Sequence, residues 1–306
     1  MTYVIGHKNP DTDTICSAIA YAELKGKLGK DVKAVRLGEV NEETKFVLDY
    51  FKVEKPELIE SVSGKEIMLV DHNERTQTAD GFEEAKVLEL VDHHRISNFN
   101  VDEPLYVRME PVGCTATIIL KLFKENNLLP EPTTAGLMLS AIVSDTLLFK
   151  SPTCTGCDVK AGKELAEIAG VNVEEYGLEM LKAGTALGGK SESELINMDM
   201  KIFEVDGSKI GVAQVNTVNE AELLERKEKL LVEINNIINK EGLKFFIFAI
   251  TNILSNDSTG IVAGDGNAII EKAFNEKIDN NLIALKGVVS RKKQIIPPLT
   301  KAIQEA

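Results

Sequence analysis

The chain is poor in cysteine, histidine and net positive charge, and it has no long apolar run. Its four cysteines, Cys16, Cys114, Cys154 and Cys157, are too few for a disulfide framework in 306 residues. Cys154 and Cys157 have the spacing of half a zinc site, but no second pair accompanies them. All four are therefore expected to be reduced structural thiols. The 48 acidic residues outnumber 35 basic ones, for a formal charge of −13, and there is no basic arm or tail. Such a chain is a poor general binder of nucleic acid or anionic membrane. A polyanionic ligand would have to meet a local cationic cluster or metal ions. No segment is long and apolar enough to span a bilayer, and the N-terminus lacks a signal-peptide pattern, so a cytoplasmic location is expected. Internal repeats and low-complexity segments are also missing.

What remains is ordinary globular composition, 43% hydrophobic and 27% charged. The length suggests about two domains of roughly 150 residues, each able to bury a core. Near the start, the apolar run Tyr3-Val4-Ile5 leads into Gly6-His7-Lys8-Asn9-Pro10-Asp11-Thr12-Asp13-Thr14, and then into a helical pattern from Ile15. This predicts a strand, a tight loop turned by Pro10, and a helix capped by an Asp or Thr. The same grammar recurs. Glu66 to Val70 is an apolar strand ending in Asp71-His72-Asn73, and Lys86 to Val91 is another ending in Asp92-His93-His94. Further strands are expected at Asp31–Leu37 and Leu105–Met109, and helices at Asn41–Phe51, Cys114–Phe123, Thr133–Thr146, Asp158–Ala169 and Val173–Ala183. Strands alternating with helices imply an α/β domain with a parallel sheet and helices on both faces. Ligands collect at the carboxyl ends of such strands.

All four histidines, His7, His72, His93 and His94, lie at or beside these strand ends. A lone histidine is usually a satisfied core or surface residue. Four on one sheet edge, each near an aspartate, favour a metal site. The candidate ligands are His7, Asp11, Asp13, Asp71, His93 and Asp145. Asp145 ends a very apolar helix, where an unpaired carboxylate would be costly. Six donors exceed the needs of one ion that also binds substrate. Two metals about 3.5–4 Å apart, bridged by Asp71, fit better. Oxygen and imidazole donors without thiolate favour Mn²⁺ or Co²⁺, with Mg²⁺ arriving on the substrate.

The Gly- and Ser-rich stretch from Ala183 to Ser193 is the best linker candidate. We expect a first domain over 1–186, a linker over 187–194, and a smaller α/β domain over 195–306. In the second domain, a hairpin is expected around Asp206-Gly207, a long charged helix over Asn219–Asn239, strands at Lys244–Ile250, Gly260–Gly264 and Leu282–Val288, and a helix at Asn267–Asn275. Ser290-Arg291-Lys292-Lys293-Gln294 stands out in so acidic a chain. Alone it would be a solvated charge run. Beside a two-metal site across an interdomain cleft it becomes an anion clamp, with Arg291 as a fork, Lys292 as a point charge and Lys201 as a further cation.

Taken together, Gly-His-Lys-Asn-Pro-Asp-Thr-Asp at 6–13, Asp-His-Asn at 71–73 and Asp-His-His at 92–94 resemble the DHH phosphoesterase superfamily. Ser290 to Gln294 resembles its DHHA2 type of C-terminal domain. The combination, which includes Val112 to Thr117 and Phe149 to Thr153, resembles the family II, manganese-dependent inorganic pyrophosphatases from Thr2 to the end. The resemblance implies that His7, Asp11 and Asp71 hold one metal, and that Asp13, Asp71, His93 and Asp145 hold the other. It implies that His94 contacts substrate and protonates the leaving phosphate. Lys201, Arg291 and Lys292 would clamp the substrate, and His72 and Asn73 would orient ligands. The segment between Asn73 and Asp92 is too short for the regulatory insert some members carry, so the compact, homodimeric form is implied.

The expected reaction is hydrolysis of pyrophosphate to two orthophosphates by a hydroxide bridging two divalent metals. Other DHH phosphoesterases act on short nucleic acids or cyclic dinucleotides and carry a Gly-Gly-Gly-His motif. No histidine follows His94 here. A short-chain exopolyphosphatase would use the same metals and clamp, and is the main alternative. A non-catalytic metal- or phosphate-binding protein is the third.

Overall fold

The computed structural model describes residues 1–185 and 187–305. The chain divides into two compact units, Met1–Gly184 and Thr185–Ala306. Positions 186 and 306, where expected domain limits fall, lie outside the described residues.

The first unit begins with β1 (Thr2–Ile5), α1 (Thr12–Lys27), β2 (Val32–Arg36), α2 (Glu42–Phe51), β3 (Glu57–Leu58) and β4 (Glu66–Val70). It continues with β5 (Lys86–Asp92), β6 (Tyr106–Met109), α3 (Thr115–Glu125), α4 (Pro132–Thr146), α5 (Gly156–Ala169) and α6 (Val173–Gly184). Its six strands form one sheet in the order β3-β2-β1-β4-β5-β6, with every pairing parallel. From β1 the chain first moves outward to β2 and β3, then returns to place β4 on the other side of β1. That reversal opens a crevice at the carboxyl ends of β1 and β4, where doubly wound sheets bind ligands. His7 follows one strand and Asp71 the other.

Local chemistry explains the helix starts. Asp11 caps α1 by accepting the Thr14 N–H at 2.9 Å, and Asn41 caps α2 by accepting that of Thr44 at 2.7 Å. The α4 helix is buried all round from Thr134 to Val143, as its apolar sequence requires. Gly6 permits β1 to approach α1, because a Cβ there would stand 2.3 Å from Thr14 Cγ2.

The expected helices on both faces of this sheet take a reduced form. One face gathers Ile5, Ile67, Leu69 and Leu90 with Val62, Ala79 and Phe82, and no α-helix contributes to that cluster. Among the described residues, its only helical piece is a 3₁₀ turn, Phe82–Glu84. The reason is the short crossover from β4 to β5, which makes only two such turns, the other being Arg75–Gln77.

The second unit contains α7 (Glu192–Asn197), β7 (Met200–Val205), β8 (Ser208–Thr217), α8 (Glu220–Leu224), α9 (Lys227–Glu241) and β9 (Phe245–Asn252). It ends with β10 (Asp257–Gly264), α10 (Asn267–Phe274), β11 (Leu282–Leu285) and α11 (Ile296–Gln304). The sheet order is β11-β10-β9-β8-β7, with only β8 and β9 parallel. Strand β9 is buried on both sides. Phe246, Phe248 and Ile250 pack with α7, α8 and α9, whereas Phe245, Ile247 and Ala249 pack with α10 and α11.

Two expectations need correction here, and one helix was missed. The latter part of the proposed linker is helical, because Ser191 and Glu194 cap α7 reciprocally. The single helix expected over 219–239 is two, broken at Glu225-Arg226. The Arg226 guanidinium is drawn to Glu192 at 2.9 Å and to the Lys190 carbonyl at 2.7 Å. Finally, α11 went unanticipated although Pro297 and Pro298 in its first turn suit a helix start.

Candidate metal centre and anion site

Strand ends and helix ends of the first unit bring all six expected metal donors together. His7 Nε2 lies 3.4 Å from Asp11 Oδ2 and 3.6 Å from Asp71 Oδ2. His93 Nε2 lies 3.5 Å from Asp71 Oδ1, 3.8 Å from Asp145 Oδ2 and 4.0 Å from Asp13 Oδ2. The two oxygens of Asp71 are thus divided between two donor sets. These separations are too long for good hydrogen bonds. They approach the roughly 3.0–3.4 Å between two ligands that each sit about 2.1 Å from a shared ion. Asp71 itself has φ 61°, the left-handed region that a non-glycine residue enters at a cost of about 1–3 kcal/mol. The turn lifts its carboxylate off the end of β4, and the strain falls on the residue at the centre of both sets.

The carboxylates are held by neighbours that carry no charge. Thr14 Oγ1 donates to Asp71 Oδ2 at 2.7 Å, and Thr115 Oγ1 to Asp71 Oδ1 at 3.1 Å. Asp13 accepts from Ser17 Oγ at 2.5 Å and from the Thr115 N–H at 2.8 Å. Burial is severe. Burial, with Asp13 close by, pushes Asp71 up to about 7. Burial and the charges of Asp13 and Asp71 drive Asp145 well above the ordinary carboxylate range. Burial acts against the charged form of His93, but Asp71 and Asp13 prevail and push it up to about 9. For Asp11, burial is outweighed by the close approach and charge of His7 and by the Thr14 N–H, so its carboxyl is lowered. So many mutually repelling acids around two imidazoles suit divalent cations, whose charge would relieve them.

Two histidines have their tautomers set. The Val112 carbonyl, 3.1 Å from His93 Nδ1, can only accept, so Nε2 faces the carboxylates as a potential ligand. His94 Nδ1 is 2.9 Å from Asp92 Oδ1, leaving Nε2 free on a half-exposed ring. The hydrogen bond to Asp92 raises the His94 pKa. Asn73 donates to Asp92 Oδ2 at 2.6 Å, so Asn73, Asp92 and His94 form one chain. Asn73 therefore orients a histidine through Asp92. His72 is buried with Nδ1 2.9 Å from the Val70 carbonyl, and its Nε2 has no partner among the described residues.

Sequence reasoning passed over Asp92, Thr14, Ser17 and Thr115 as site residues, although Asp92 heads the Asp-His-His run. It also missed Asp158. That fully buried carboxylate accepts from Gly113 N–H at 2.8 Å, Thr117 Oγ1 at 2.7 Å and Thr155 N–H at 2.7 Å. It anchors the turn whose Val112 carbonyl orients His93. Cys114, expected within a helical pattern, instead caps α3, with its sulfur near one oxygen each of Asp13 and Asp145. Burial and those carboxylates push its thiol far above the ordinary range.

In the second unit, Lys201 is exposed near the start of β7, and Lys292 and Lys293 are exposed beyond β11. The expected fork, Arg291, is mostly covered: Nη2 lies 2.9 Å from Asp199 Oδ1, and Nη1 donates to the Asp199 carbonyl. This contact holds Arg291 beside the strand that carries Lys201. Gln214 on β8 accepts the Arg291 N–H at 2.9 Å and donates to the Val289 carbonyl at 3.0 Å. Gln294 accepts the N–H groups of Val289 and Ser290. The cationic turn is thus held by Gln294 of its own segment and by Gln214 of β8.

Residues 1–142 match the DHH family N-terminal domain, and residues 178–302 match the DHHA2 domain. Fold and site together define a two-part DHH–DHHA2 protein. A probable manganese-dependent inorganic pyrophosphatase of Exiguobacterium is 59% identical over 98% of this chain and 97% of its own. One of Bacillus cereus is 55% identical over 98% of both chains. A crystal structure from Methanococcus jannaschii, assigned to the family II inorganic pyrophosphatases, is 44% identical with a TM-score of 0.64, over 99% of this chain and 100% of that one. An exopolyphosphatase-related protein of Bacteroides fragilis, 14% identical with a TM-score of 0.51, shares the fold over 99% of this chain and 92% of its own. The chain belongs to the manganese-dependent inorganic pyrophosphatase family.

Proposed function

We infer that the protein hydrolyses inorganic pyrophosphate to two orthophosphates with manganese. The observation that carries this is the carboxylate of Asp71, one oxygen near His7 and the other near His93, whose Nε2 also neighbours Asp13 and Asp145. His7, Asp11 and Asp71 would hold one ion, and Asp13, Asp71, His93 and Asp145 the second. Bound there, the metals supply the Lewis acidity that makes water nucleophilic near neutral pH and neutralises phosphoryl charge. Mn²⁺ is the resident ion, Co²⁺ an effective substitute, and Mg²⁺ enters with the substrate.

The chain's own residues do the rest. His94, held through Nδ1 by Asp92, presents Nε2–H to an oxygen of the leaving phosphate and gives up that proton as the bridge breaks. Lys201, Arg291 and Lys292 bind the remaining phosphoryl oxygens and fix the line of attack. The division of labour follows the expected domains, with the metal centre in the first and the anion clamp in the second. The proposal includes a homodimer in the cytoplasm. No helix among the described residues is long and apolar enough to cross a membrane.

The test is phosphate release by metal-stripped protein reloaded with Mn²⁺ or Co²⁺, in excess Mg²⁺, with pyrophosphate, tripolyphosphate and a short oligonucleotide offered in parallel. Strong preference for pyrophosphate is the expected result. Preference for tripolyphosphate would make the enzyme an exopolyphosphatase, and activity on the oligonucleotide alone would overturn the assignment of the second domain.

A further inference from the structure

One partly buried carboxylate outside every motif touches both helix ends that carry metal donors. Glu43, in the first turn of α2, accepts from Thr12 Oγ1 at 2.7 Å and from Ser144 Oγ at 2.5 Å, both on Oε1. Thr12 stands between Asp11 and Asp13 at the start of α1. Ser144 immediately precedes Asp145 near the end of α4. A single oxygen atom therefore ties the backbone bearing two donors to the backbone bearing a third. Thr44 supports the same knot, its hydroxyl 3.1 Å from that of Thr12. The far side of Glu43 lies against Gly184, the last residue of α6. A Cβ added there would come within 2.8 Å of Glu43 Oε2 and of its Cβ.

The α1 and α4 helices already pack through apolar faces, and a carboxylate buried only to accept two hydroxyls carries a desolvation cost. Burial does push its pKa up. The hydroxyls instead fix a distance that apolar packing leaves loose, since side-chain contacts tolerate slippage that a directional bond to a shared atom does not.

We propose that Glu43 is a positioning residue that sets the spacing of Asp11 and Asp13 against Asp145, and through it the Mn²⁺ affinity of the centre. The proposal rests on the metal assignment above. It is tested on the full-length, metal-stripped protein by equilibrium dialysis against Mn²⁺ alone, with no substrate present. Glu43→Met keeps length and removes the acceptor. It should bind Mn²⁺ at least about tenfold more weakly, the range typical of partners that orient ligands. Glu43→Gln retains an oxygen for both hydroxyls and should restore affinity to near wild type. Thr12→Val combined with Ser144→Ala removes the two donors while keeping Glu43. This pair should reproduce the Glu43→Met loss, and should add nothing further in its background. That pair also serves if Glu43→Met does not fold.

Wild-type Mn²⁺ affinity in folded Glu43→Met, or in the Thr12→Val/Ser144→Ala pair, would overturn the proposal. So would a Glu43→Gln variant as weak as Glu43→Met, because charge rather than position would then be responsible. Wild-type protein that bound no Mn²⁺ would instead overturn the metal assignment itself.

Discussion

The two units prepare charge in opposite ways. In the first, Asp13 and Asp71 are buried, Asp145 and two imidazoles are mostly covered, Asp11 is half-exposed, and hydroxyls or amides fix most of the carboxylates. Thr14 and Thr115 hold Asp71, Ser17 holds Asp13, and Glu43 holds the turns on either side. In the second, Lys201 and Lys292 stand in solvent and only Arg291 is fastened, by Asp199 and Gln214. Repelling acids must be buried and braced to bind small cations tightly, and they remain strained until the ions arrive. Solvated lysines need no bracing and keep long, flexible stems. Under the proposed function, the first arrangement would favour affinity and the second turnover.

If that contrast is right, substitutions in the two units should separate metal binding from catalysis. The largest effect is expected for Asp71→Ala. It removes the residue common to both donor sets, so Mn²⁺ affinity and activity should fall together. The loss should be well beyond the roughly 100-fold seen when an orienting partner is lost. Dialysis and phosphate release measure the two, and retained Mn²⁺ affinity would undo the bridging role. Next comes Arg291→Ala, expected to cost about 10²–10³ in kcat by removing a donor to developing charge. Mn²⁺ binding should be unchanged; weakened binding would blur the contrast. His94→Gln should lower kcat by roughly 10²-fold at least, with the alkaline limb of the pH profile lost, if Nε2 donates a proton.

The last effect is a matter of pH. Asp71, pushed up to about 7, and His93, pushed up to about 9, must both lose protons to act as ligands. Mn²⁺ binding therefore releases protons, and affinity should rise as pH increases from about 6 to 9. Protons win at the acid end because the metal-free site holds them more tightly than free Asp or His does. A flat affinity over this range would mean that the carboxylates are not crowded as described. Lys292→Ala should leave that slope untouched.

Much of the first unit could be read from the chain. The strand ends at Ile5, Val70 and Asp92 are followed directly by the polar residues that matter, so sequence order places His7, Asp71, His93 and His94 on one edge. Asp145 was legible because a carboxylate at the end of so apolar a helix demands a partner. The residues that brace these groups were not. Thr14, Ser17, Thr115, Glu43 and Asp158 are ordinary helix-start or helix-turn residues, and their hydrogen bonds join segments as much as about 100 positions apart, a separation that periodicity cannot see. The fold errors have the same origin. Arg226 breaks a helix because of a tertiary contact to Glu192, and the β4–β5 crossover lacks an α-helix because it is short. The hold of Asp199 on Arg291 was not foreseen.

The most direct test is the state of manganese in the wild-type protein. Metal-stripped protein titrated with Mn²⁺ should take up two ions per chain, and electron paramagnetic resonance should show them magnetically coupled, as expected for ions that share the Asp71 carboxylate about 3.5–4 Å apart. One ion per chain, or two without coupling, would contradict the assignment of Asp71 to both.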